Sequence, residues 1–178
     1  MSELKESKLS SKIVYQGDFL DVRRDKVLLP NGNTSIREWI KHPGAVCIIP
    51  VLPNGEIALI RQYRYPVKKE MIELPAGKID LNEKPEICAK RELEEEIGYY
   101  SEKIKFLTQI HPAIGFANEF MNLYLAKDLV KTESNLDKDE FLIIIPTKLT
   151  KAIDMVWSGE ITDVKTIIGL LWANKMLS

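Results

Sequence analysis

Residues 85–97 strongly favour a helix, and that helix carries a concentrated charge. Pro85 stands where a helix accepts proline, in its first turn, and Gly98 stands just past its end. Glu92, Glu95 and Glu96 recur at i, i+3 and i+4, so three carboxylates share one face. Ile87, Cys88 and Leu93 fall on other faces and are expected to pack inward. Like charges at that spacing repel, at about 0.2–0.5 kcal/mol per exposed pair. The cluster becomes favourable when something positive occupies it. Hard divalent ions such as Mg²⁺ or Mn²⁺ prefer oxygen ligands and keep several waters, often beside substrate phosphates. Taken alone, the same pattern also describes a solvated acidic face with Arg91 as its salt-bridge partner.

The helix sits inside one chain of 178 residues with no repeat, low-complexity tract or Pro/Gly/Ser-rich linker. Strands are expected over 13–29, with the turn Pro30-Asn31-Gly32-Asn33 leading back through 34–41. Further strands are expected at 45–52 (a continuous apolar run, hence buried), 56–64, 103–111, 119–129 and 141–145, with 71–74 and 78–81 as short pieces around Pro75-Ala76-Gly77. Helices are expected from Lys148 to Trp157 and from Asp163 to Leu177, the second with Ile167, Ile168, Leu171 and Trp172 as its core stripe. This is a mixed arrangement of strands with helices at the centre and the end. The 25 basic and 26 acidic residues leave a net charge of −1, so no basic surplus points to nucleic acid. No apolar run reaches the roughly 18 residues that span a bilayer. The polar start MSELKESKLSSK does not read as a secretory signal, so a cytoplasmic protein is expected. Cys47 and Cys88 then read as reduced core residues.

Gly77, five residues, Glu83, seven residues, then Arg91-Glu92-Leu93-x-Glu95-Glu96-x-Gly98-Tyr99 resembles the signature of the Nudix hydrolases. With named residues at about 5–8% usage and apolar residues at about 40%, a chance match is on the order of one in ten million per chain. The resemblance implies an α+β fold, an α/β/α sandwich with a mixed β-sheet between helices. It also implies a 42–178 hydrolase domain behind a 1–41 N-terminal antiparallel β extension that forms a dimer. It implies metal ligands at Glu92, Glu95, Glu96 and the Ala76 carbonyl, holding two or three Mg²⁺ or Mn²⁺ ions. Arg91 matches the arginine that orients a glutamate, and Glu83 the glutamate that ties the loop or adds to the metal site. Gly77 and Gly98 match positions that serve backbone geometry.

The flanks resemble the ADP-ribose and nucleoside diphosphate sugar pyrophosphatases within that family. Glu73-Leu74-Pro75-Ala76-Gly77 is similar to their E-x-P-A-G lead-in, and Gln62-Tyr63-Arg64 to a segment whose arginine contacts phosphate. Arg37-Glu38-Trp39 resembles the segment that closes over the nucleotide, which implies phosphate or ribose pairing for Arg37 and base stacking for Trp39. Glu119 ends a loop in which Ile114 stands where those enzymes usually carry proline, which leaves room for broader sugar nucleotides. The loop 131–140 resembles one that delivers a general base. Glu140 is its first candidate, with Asp139, Asp137 and Glu133 behind it; a merely solvated charged loop fits the same residues. The resemblance thus implies metal-dependent cleavage of ADP-ribose or related compounds to a nucleoside monophosphate and a sugar phosphate, in a homodimer without nucleic-acid or membrane partners. A non-catalytic sugar-nucleotide sensor, or a hydrolase of dinucleotides such as diadenosine polyphosphates or NADH, remains open at this point.

Overall fold

The computed structural model describes residues 3–136, 138 and 141–177. They fall into two compact units, one running to Gly44 together with Ala113–Glu119, the other made of Ala45–Pro112 and the chain from Phe120 onward.

The first unit is an antiparallel meander of β1 (Ser7–Gln16), β2 (Asp21–Leu28) and β3 (Thr34–Lys41). The expected turn at 30–33 joins β2 to β3, and Gly32 holds φ at +85°, a left-handed value that other residues resist. β1 begins at Ser7, earlier than the apolar pattern from Ile13 indicates. Its polar half becomes a strand because its backbone pairs with β2, Ser11 lying opposite Asp25. Every residue of β1 is exposed, so no alternation marked it. The segment 113–119 joins the end of β3, where the Ile40 N–H donates to the Phe116 carbonyl and the His42 N–H to Asn118 Oδ1.

The second unit contains the rest of the regular structure. Its strands are β4 (Ala45–Pro50), β5 (Ile57–Arg64), β6 (Lys69–Glu73), β7 (Ala76–Lys78), β8 (Tyr99–Tyr100), β9 (Lys103–Ile110), β10 (Met121–Lys127), β11 (Val130–Lys131) and β12 (Leu142–Thr147). Its helices are α1 (Pro85–Ile97), α2 (Leu149–Trp157) and α3 (Val164–Leu177). A mixed sheet runs β7-β4-β10-β9, with β4 and β10 parallel, and an antiparallel sheet runs β12-β5-β6.

Side-chain alternation builds the sandwich. On β4, Val46 and Ile48 join a core with Cys88, Ala89, Leu93 and Ile97 of α1. Ala45, Cys47 and Ile49, one residue out of phase, join a second core with Ala152 and Met155 of α2 and Leu170 and Ala173 of α3. β5 and β10 divide their side chains in the same way. A strand buried on both faces reads as an unbroken apolar run, as 45–52 does. The expected α/β/α sandwich is present.

Two packing expectations are corrected. Ile87 points to solvent at 54% exposure, while Cys88 and Leu93 are buried. On α3 the buried face is Lys165, Thr166, Gly169, Leu170 and Ala173, whereas Leu171 and Trp172 are exposed and Ile167 and Ile168 only flank the core. The close approach at Gly169 fixes that face. A Cβ on Gly169 would lie 2.5 Å from Leu74 Cδ1 and 3.3 Å from Ile49 Cγ1, so only glycine lets α3 approach so closely. Among the described residues no helix is long and apolar enough to cross a membrane.

Candidate active site

The carboxylate helix lies against the strand that precedes it in sequence. α1 starts with Pro85 and ends at Ile97; the Gly98 N–H donates to the Glu94 carbonyl, and its φ of +67° turns the chain out of the helix. Gly77 does not adopt such an angle. Its requirement is space, since a Cβ there would meet the Glu92 carboxylate at 1.9–2.4 Å. Glu92 is thus laid directly on the Gly77 backbone. One turn on, Glu96 Oε2 accepts the Ala76 N–H at 3.1 Å. Both glutamates are buried, and Glu95 is half-buried. The sequence-predicted ligands Ala76, Glu92, Glu95 and Glu96 are therefore brought together on one short stretch of helix and strand.

Arg91 braces this group. Its Nε and Nη2 donate to the two oxygens of Glu83 at 2.9 and 3.0 Å. Its Nη1 donates to Glu92 Oε1 at 2.7 Å and Glu95 Oε2 at 2.8 Å, and Nη2 also reaches the Lys78 carbonyl at 3.2 Å. Such forked, charge-assisted bonds fix direction as well as charge. The Arg91 guanidinium holds the Glu83 carboxyl at about 2, well below its ordinary 4.5, assisted by the Asp80 N–H that Glu83 Oε2 accepts. Glu83 in turn pushes the Arg91 guanidinium upward. The tie of the loop to the helix is therefore Glu83 with Arg91.

The donor set suits a hard divalent cation in kind: carboxylate oxygens and a backbone carbonyl, with no soft ligand among them. Glu83, Glu92, Glu95 and Glu96 against Arg91 sum to four negative charges and one positive, a formal −3. Among the described residues, no three acidic, histidine or cysteine side chains are gathered closely enough to clasp an ion as they stand. A cation would compete with Arg91 for Glu92 and Glu95. Cys88, which donates from Sγ to the Lys78 carbonyl at 3.3 Å, and Cys47 are buried free thiols.

Arg64, at the end of β5, is held by Glu73 at the end of β6. Its Nε and Nη2 donate to the two carboxylate oxygens, each at 2.7 Å. The sequence offered Arg64 only a phosphate, and Glu73 only as a motif letter; in the ladder Arg64 lies opposite Lys69 and Glu73 opposite Ile60, and the length of the two side chains closes the pair. In the first unit, Arg37 on β3 is exposed and forks onto Glu6, with Nη1 also donating to Ser35 Oγ. Trp39 Nε1 donates to Asp25 Oδ2 at 3.1 Å, which fixes the indole. Glu119 is half-buried in the segment beside β3.

Glu140, Asp139 and Asp137 lie outside the described residues. The described part of their loop packs on the end of α1, where Thr132 N–H donates to the Gly98 carbonyl and Asn135 N–H to the Glu95 carbonyl. Glu133 is exposed.

Residues 41–166 match the family model of the NUDIX domain, and residues 6–40 that of the nucleoside diphosphate sugar hydrolase N-terminal domain. The chain is 38% identical over 168 residues to an ADP-ribose pyrophosphatase of Bacillus subtilis (strain 168), covering 93% of this chain and 91% of the relative. It is 40% identical over 173 residues to a methanol dehydrogenase activator of Bacillus methanolicus, covering 96% and 94%. A crystal structure of ADP compounds hydrolase superposes with a TM-score of 0.88 at 23% identity, over 99% of this chain and 96% of that one, a likeness of fold. A helix of stacked glutamates braced by one arginine, on a sandwich with this sequence kinship, has one reading: the chain belongs to the Nudix family.

Proposed function

We propose that this Nudix pyrophosphohydrolase cleaves the diphosphate bond of ADP-ribose and related nucleoside diphosphate sugars in a metal-dependent reaction, giving a nucleoside monophosphate and a sugar phosphate. The observation that carries this reading is the setting of Glu92 and Glu96 against Ala76–Gly77, with Arg91 spanning Glu83, Glu92 and Glu95. ADP-ribose comes first because a relative that shares nearly the whole chain carries that name.

Mg²⁺ or Mn²⁺, two or three ions per site, would be held by Glu92, Glu95, Glu96 and the Ala76 carbonyl. When bound, such ions supply charge neutralisation at the diphosphate and a more acidic water. Arg91 keeps the Glu92 and Glu95 oxygens aimed. Arg64 and Arg37 are assigned to phosphate or ribose oxygens, Trp39 to the base, and Glu119 to ribose or a metal. Glu140 is assigned the general base from its place in the sequence, directly before the Phe141–Ile145 run, as the family resemblance implies.

The functional form is proposed as a homodimer. In the first unit Leu9, Ile13, Tyr15 and Phe19 are 52, 50, 58 and 69% exposed, an apolar surface that a second copy would cover. A monomeric mass by light scattering would remove the dimer.

The deciding experiment is a phosphate-release panel with Mg²⁺ and a coupled phosphatase, using ADP-ribose, ADP-glucose, GDP-mannose, UDP-glucose, NADH and a diadenosine polyphosphate. Turnover of ADP-ribose or a sugar nucleotide, lost in Glu96→Gln, is expected. Preference for NADH or the diadenosine compound would move the substrate class. Silence across the panel with an intact fold would leave a sensor as the better reading.

A further inference from the structure

The Arg64–Glu73 pair does not end with Glu73. Lys165, on the buried face of α3, places Nζ 2.5 Å from Glu73 Oε2 and 3.0 Å from Asp163 Oδ2. Lys165 is 7% exposed and Glu73 2%, so one carboxylate in the interior is shared by two cations from different elements. Asp163 Oδ2 also accepts the Thr166 N–H at 3.0 Å and the Thr166 hydroxyl at 2.6 Å, which caps the start of α3. Thr166 Oγ1 accepts the Leu74 N–H at 2.7 Å. Burial pushes the Glu73 carboxyl up, and Arg64 with Lys165 more than reverse it, so it stays below its ordinary range and charged.

This geometry fixes more than charge. A carboxylate gripped by one guanidinium can swing with it. A second cation on the same carboxylate, itself clamped by a capped helix, removes that freedom. Arg64 spends Nε and Nη2 on Glu73, and its Nη1 has no partner among the described residues. The guanidinium is half-buried and within electrostatic reach of Glu96 in the carboxylate cluster. An isolated surface ion pair would be worth little, but a network closed at both ends holds its members in one arrangement.

We propose that Lys165 is a positioning residue: through Glu73 it holds the Arg64 guanidinium in the orientation that receives a substrate phosphate. The proposal rests on the reading of Arg64 given under Proposed function. Lys165 touches no substrate. Its effect belongs to binding, and it disappears when Arg64 is gone.

The test is a double-mutant cycle on the full chain with ADP-ribose and Mg²⁺. Lys165→Met removes the charge and keeps the length. It is expected to raise KM about tenfold with kcat changed less than about twofold, and to add less than about twofold to the KM of Arg64→Ala. Asp163→Asn, which keeps the helix cap while loosening Lys165, serves as the second variant should Lys165→Met not fold. It is expected to act in the same direction with a smaller rise in KM. An equal penalty from Lys165→Met in both Arg64 backgrounds marks a purely structural lysine and overturns the proposal, as does unchanged KM in the folded variants. Unchanged KM in Arg64→Ala itself overturns the Arg64 reading first, and the inference with it.

Discussion

Replacing Arg91 by methionine tests the centre of the site, because the cost can be worked out and has a pH signature. Methionine keeps the aliphatic stem and removes the fork that spans Glu83, Glu92 and Glu95. Glu83 titrates at about 2 in the folded protein against an ordinary 4.5. At about 1.4 kcal/mol per pH unit, that difference sets a ceiling of about 3.4 kcal/mol at neutral pH. The Arg91 side chain is 29% exposed, and solvent there reduces the figure to about 2 kcal/mol. The sign follows from the lowered carboxyl. Its stabilisation is complete above pH 4.5 and is lost as pH falls through 2. The penalty of the variant should therefore be constant from about pH 6 upward and less than half as large at pH 3. Urea unfolding followed by circular dichroism at pH 7.5, 5 and 3 measures it. For a chain of this size about 2 kcal/mol corresponds to a fall in Tm of about 4–8 °C. A penalty at pH 3 equal to that at pH 7.5, or one below about 0.5 kcal/mol at neutral pH, would refute the assignment of Glu83 and Arg91 as the tie of this loop.

Three further outcomes are expected. Gly77→Ala drives a methyl into the Glu92 carboxylate, the far end of a flexible side chain, so thermal melts should shift by only a few degrees while kcat/KM on ADP-ribose falls by about a hundredfold or more. Gly169→Val instead meets Leu74 and Ile49 inside a filled core. It should cost about 1–3 kcal/mol in urea unfolding. Glu140→Gln should lower kcat by about 10²–10⁴-fold with little change in KM, while Glu133→Gln stays within about threefold; the reverse pattern in steady-state kinetics would transfer the base to Glu133.

Much of the fold was legible because it is written in local periodicity. The 45–52 run declared a strand covered on both faces, and α1 runs from Pro85 to Ile97 as its proline, its glycine and its 3.6-residue spacing require. The spacing of Gly77, Glu83, Arg91, Glu92, Glu95 and Glu96 also announced a site, since residues on one turn of helix are neighbours whatever the tertiary context. The strand content of residues 7–12 was not legible. Nothing apolar alternates there, and only the ladder to β2 makes those residues a strand.

The sequence by itself determined which carboxylates stand together on α1, because a helix converts spacing directly into proximity. It could not reveal that Glu92 rests on Gly77, that α3 turns Lys165, Thr166 and Gly169 inward, or that Lys165 and Glu73 meet across 92 positions of chain. Those facts depend on how closely separate elements approach, and closeness is set by the volumes of all the side chains between them. A lysine in an apolar helix reads as a surface residue until a buried carboxylate from another strand is placed beside it. The tertiary structure alone made that placement, and it turned a helix face and a strand arginine into parts of one arrangement.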